Sequence, residues 1–119
     1  MKQYIIQLLK DLTEAKGPEW ATRDWTAEAD RIQKDIEDNG HDANGNVGEA
    51  FQLARDMFDK VSVQGSPQHK VLHDDINHVE RAYDIAEMQG DYEAMDHHIK
   101  GPLNAVRQLH TIIKKRTIN

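Results

Sequence analysis

Apolar positions recur at helical spacing along almost the whole chain, and no stretch alternates with a period of two, so the pattern predicts an all-α protein. Tyr4, Ile5, Leu8, Leu9 and Leu12 form one stripe, predicting a first helix over residues 2–15 that Gly17-Pro18 ends, because Pro cannot extend the hydrogen-bond ladder. Trp25, Ala29, Ile32 and Ile36 follow at steps of four, three and four, with Thr22 or Asp24 as N-cap and Asn39-Gly40 as stop. Residues 39–46 are rich in Asn, Asp and Gly and predict a loop. Val47, Ala50, Phe51, Ala54, Phe58 and Val61 mark a third helix.

Gln64-Gly65-Ser66-Pro67 is a boundary, with Ser66 suited to an N-cap and Pro67 to a first helical position. Leu72, Ile76, Val79, Tyr83 and Ala86 predict a fourth helix, which breaks at Gly90 with Asp91 as the next cap. The last helix, over 92–115, carries Tyr92, Met95, Ile99, Leu103, Val106, Leu109 and Ile113. The expected architecture is one domain over 1–119, a small bundle of four to five helices. It divides into an N-terminal half, 1–64, and a long C-terminal helical hairpin, 67–116, kinked near Pro102. A domain of this length buries only about 65% of its unfolded surface, so a homo-oligomer is expected.

Composition narrows the classes. The 119 residues carry a formal charge of −6, with 38% hydrophobic and 30% charged residues, a balance that disfavours disorder throughout. No apolar run approaches the ~20 residues of a spanning helix, and Lys2, Lys10, Asp11 and Glu14 interrupt the N-terminal hydrophobics, unlike a signal peptide. No membrane is expected, and a cytoplasmic protein of bacterial or viral type is. With no cysteine, disulfides, thiolate catalysis and Cys-ligated zinc are excluded.

The charge is polarised. Between residues 19 and 59 stand eleven acids against four bases, whereas 97–119 holds no acid and five bases, Lys100, Arg107, Lys114, Lys115 and Arg116. Opposite ends can face each other, and cations at a helix C-terminus offset the macrodipole by ~0.3–1 kcal/mol. The same polarity also suits a basic helix on phosphates, or an acidic surface imitating nucleic acid.

Candidate chemistry is sparse. Asp42-Ala43-Asn44-Gly45-Asn46 has the oxygens of a calcium loop, but Val47 stands where the turn Gly belongs and Leu53 where the bidentate Glu belongs. His69 and His73, four apart, share a helical face that Glu80 and Asp84 nearly continue, outlining a His-His-carboxylate set for zinc or iron. Asp74 and His78 repeat the spacing on another face. No nucleophile elbow, phosphate-binding Gly loop or His-Glu-x-x-His run occurs, so no enzyme and no cofactor is expected.

The segment His97-His98-Ile99-Lys100-Gly101-Pro102-Leu103-Asn104-Ala105-Val106 resembles the phospho-acceptor box of sensor histidine kinases. At 100° per residue His97 falls almost opposite the stripe of Met95, Ile99, Val106 and Ile113, so its imidazole should face solvent. His98 stands where the kinases usually carry an acid, and thirteen residues follow the box. The resemblance therefore implies a phosphotransfer protein, or a mimic of a kinase dimerisation helix, with His97 as acceptor.

The reading best supported by these patterns is a regulatory, non-catalytic module that binds another protein through charged helical surfaces. Asp24, Glu28 and Asp35 on the acidic helix and Lys100, Arg107 and Lys114 on the basic one are the expected contacts. Phosphotransfer through His97 is the alternative, and nucleic-acid binding or DNA mimicry the second.

Overall fold

The computed structural model describes residues 23–41, 43–62 and 64–118. The helix expected over 2–15, with Thr22 and Asp42, lies outside the described residues. Among these the chain is all-helical: α1 (Trp25–Asn39), a 3-10 turn (Ala43–Gly45), α2 (Asn46–Val61), α3 (Pro67–Gln89) and α4 (Tyr92–Ile118). None of these helices is long and apolar enough to cross a membrane.

The boundaries follow local chemistry. Asp24 caps α1 by accepting from the Ala27 amide at 3.0 Å, and Ser66 caps α3 by accepting from the His69 amide at 3.2 Å, with Pro67 just inside. The corner between α3 and α4 depends on Gly90, left-handed at φ 68°, ψ 23°. Its amide reaches the Glu87 carbonyl at 3.1 Å and the Asp91 amide reaches Ala86 at 2.9 Å, satisfying carbonyls that a helix end leaves open. Asp91 then accepts from the Ala94 amide at 3.1 Å and starts α4.

In the connection to α2, Asn44 (φ 55°) and Gly45 (φ 73°) both turn left-handed, the conformation their residue types tolerate best. Helix α2 begins at Asn46, one residue before the apolar stripe. That side chain is buried, and its Nδ2 donates to Asp35 Oδ2 at 2.8 Å and the Gly40 carbonyl at 3.0 Å, tying the end of α1 to the start of α2.

Helix α4 packs against α1, α2 and α3, and α2 against α1, α3 and α4. The core lies between them, with Trp25, Phe51, Met57, Phe58, Ile76, Ile99, Leu103 and Leu109 fully buried. Leu53 and Met57 fall outside the stripe read from sequence but are buried, because a helix touched by three others needs more than one apolar face. Tyr92, expected in the core, is exposed instead: it is the first residue of α4, at the corner, with its ring 6.3 Å from that of His41. Pro102 is buried within α4, which is helical on both sides of it.

Candidate functional site

The two charged helices expected to meet a partner meet each other. Arg107 on α4 reaches Asp30 Oδ1 on α1 at 2.7 Å and Gln33 Oε1 at 2.6 Å. It also donates to Asn104 Oδ1 at 2.8 Å, so the guanidinium fork is spent inside the fold. Asp24 is occupied as a cap, and Glu28 holds Arg23 through both oxygens at 2.6 and 2.8 Å. Asp35 accepts from Asn39 at 2.7 Å and from Asn46. Lys100 and Lys114 are exposed on α4.

His97 is exposed, as the helical phase requires, while Ile99, Leu103 and Val106 of the same segment are buried. Its ring lies 5.5 Å from that of His98 at a steep angle. A shallow cleft runs beside it, with His97, His98, Lys100 and Asn104 over Val79 and Pro102.

The histidine pair on α3 behaves differently from the sequence expectation. His69 Nε2 and His73 Nε2 both lie on Asp59 Oδ1, at 2.9 and 2.8 Å, and their ring centroids are 4.3 Å apart. Asp59 comes from the last turn of α2. Glu80 is not part of the group: it pairs with Arg55 at 2.6 Å. The reason is axial distance, since seven residues along a helix span about 10.5 Å, too far for His73 and Glu80 to share one ion. Burial pulls the Asp59 carboxyl upward, but the hydrogen bonds from His69 and His73 and their charge outweigh it and hold the group below its ordinary range.

Two further histidines have built surroundings. His41 Nε2 lies 2.6 Å from Asp96 Oδ1, at the edge of a cleft between α1 and α4 that includes Gln33, Glu37, Ile99 and Lys100. The rings of Tyr83 and Tyr92 each lie 6.3 Å from that of His41. His110, buried on α4, receives the Thr26 amide on Nδ1 at 3.2 Å and the Thr26 hydroxyl at 2.7 Å. Burial, then the charge of Lys114, lowers its pKa against a weaker opposing pull from Asp24.

Sequence reasoning passed over Asp59, the dyad of His41 and Asp96, and His110. Only Asp59 left a signal. The short connection between α2 and α3 makes them antiparallel neighbours, so a residue about five before its midpoint faces one about five after it.

Comparisons with protein-family models, curated proteins and solved structures find no match.

Proposed function

We propose that the chain is a non-catalytic protein-interaction module whose contact surface is the outer face of α3 and its corner with α4. The observation that carries this reading is a set of large apolar side chains left exposed at this end of the molecule: Ile85 and Met88 on α3 are 56 and 86% exposed and Tyr92 at the corner 69%, with Val71 further along α3. Exposed anchors of this size mark contact surfaces more often than isolated ones do. Asp84, Glu87, Asp91 and Glu93, all exposed, lie within about one helical turn of these residues along the chain, an acidic rim against the nearby base Arg81. That rim suits a partner segment with apolar side chains flanked by Lys or Arg. Two copies pairing through this face would bring like charges together.

In this reading Arg107 joins α4 to α1, Asp35 ties α1 to α2, and Asp24 and Glu28 serve the start of α1. The test is binding of an amphipathic Leu- and Lys-rich helical peptide, together with capture of host proteins on the wild-type chain and on an Ile85→Asp, Met88→Asp variant. The variant should bind the peptide at least tenfold more weakly and lose captured proteins that high salt also releases. Equal peptide affinity and an unchanged captured set would remove the proposal.

A second reading, phosphotransfer through His97, is favoured by the exposure of that ring beside Lys100 while the aliphatics of the segment are buried. Pro102 has no N–H for the His98 carbonyl, and we infer a kink in α4 there. Acetyl phosphate, or a phosphorylated receiver domain, should then give an acid-labile mass gain that His97→Gln abolishes. No gain with either donor rules this out.

A further inference from the structure

We propose that Asp59, His69 and His73 form a binding site for one divalent transition-metal ion of the zinc class. The inference is independent of the interaction surface above and rests on convergence. His69 and His73 stand one turn apart on α3, so both imidazoles project from the same side of the helix. Asp59 arrives from a second element, the end of α2, and its Oδ1 is within 2.9 Å of both Nε2 atoms. One ligand atom from each of the three residues lies within 4.8 Å of the others. Ligands of a tetrahedral ion at metal–ligand distances of about 2.0–2.1 Å sit about 3.3 Å apart, so small side-chain rotations open the cluster enough to admit the ion.

The ligand types fit that ion class. Two imidazole nitrogens and one carboxylate oxygen suit zinc and its neighbours, and are too few and too rich in nitrogen for calcium or magnesium. In the ligating state each imidazole carries its proton on Nδ1 and offers the Nε2 lone pair. The His69 and His73 side chains are 17 and 26% exposed and that of Asp59 is 53% exposed, so the two rings are held by packing while the carboxylate faces solvent. The fourth position is therefore open to water or to a side chain of another molecule. Bound metal would join the end of α2 to the first two turns of α3.

The test is titration of the chelator-treated full chain with Zn2+ by calorimetry, and with Co2+ by visible absorption. One equivalent should bind, with the Co2+ spectrum of a low-symmetry nitrogen and oxygen site. His69→Gln, His73→Gln and Asp59→Asn should each weaken binding at least tenfold, whereas Glu80→Gln leaves it unchanged. Binding that Asp59→Asn does not alter reduces the site to an ordinary helical histidine pair and overturns the proposal, as does the absence of stoichiometric binding. A readout on the wild-type chain does not depend on any variant folding: Zn2+ should shift the imidazole resonances of His69 and His73 in nitrogen–proton spectra. Shifts centred on His97 and His98, or on His41, would overturn it equally.

Discussion

Arg107 and Asp30, 77 residues apart in the chain, meet at 2.7 Å and join the basic last helix to the acidic first one. Arg107 is mostly buried and Asp30 mostly exposed, so the pair should contribute about 0.2–1 kcal/mol. Arg107→Glu alone should destabilise the chain in urea, and Asp30→Arg in the same molecule should recover part of the loss. A double-mutant cycle with no coupling would show that the contact is incidental.

His110 makes stability depend on pH. Its pKa is lowered from an ordinary 6.5 by burial and then by Lys114, so between the lowered value and 6.5 the unfolded chain binds more protons than the folded one. Stability is therefore full above the ordinary histidine value and declines as pH falls through that window, levelling off once the folded chain protonates too. Thr26 reinforces the sign, because its amide needs an unprotonated Nδ1. The melting temperature of the wild type should drop on mild acidification more than that of His110→Gln; parallel curves would contradict this.

Leu103 is fully buried and Met88 is 86% exposed, which separates core from surface. Leu103→Ala should cost about 2–5 kcal/mol in denaturant unfolding, and Met88→Ala no more than about 0.5 kcal/mol. A large loss at Met88 would mean that its side chain is covered in solution.

At Gly90 a Cβ would meet nothing within 4 Å, so Gly90→Ala isolates the backbone effect of a left-handed residue. We expect a loss of about 1–2 kcal/mol, measured by chemical unfolding. No loss would mean that the corner between α3 and α4 is not held at that conformation.

Much of this fold is legible in the pattern of residues. The stripe of Trp25, Ala29, Ile32 and Ile36 is the buried face of α1, and Ser66-Pro67 and Gly90-Asp91 bound α3. These features act over one or two turns, so local chemistry decides them. The site is less legible, because its geometry depends on which helices become neighbours. His69 and His73 were visible as a pair from their spacing, but Asp59 joins them only through the antiparallel packing of α2 and α3. Glu80 looked suitable on angular phase alone, and rise along the axis excludes it. His41 and Asp96 are 55 residues apart, and nothing in either neighbourhood announces the other. The charge asymmetry was visible, yet only the packing shows that Arg107 is turned inward toward Asp30.

Helix α4 touches every other described helix, and it follows all of them in the chain. On the ribosome the earlier helices therefore emerge before α4, and the nascent chain must wait with the faces that α4 packs against still uncovered. Completion of this core must therefore wait for α4, and a stall before that helix would leave a sticky intermediate that chaperones would have to shield.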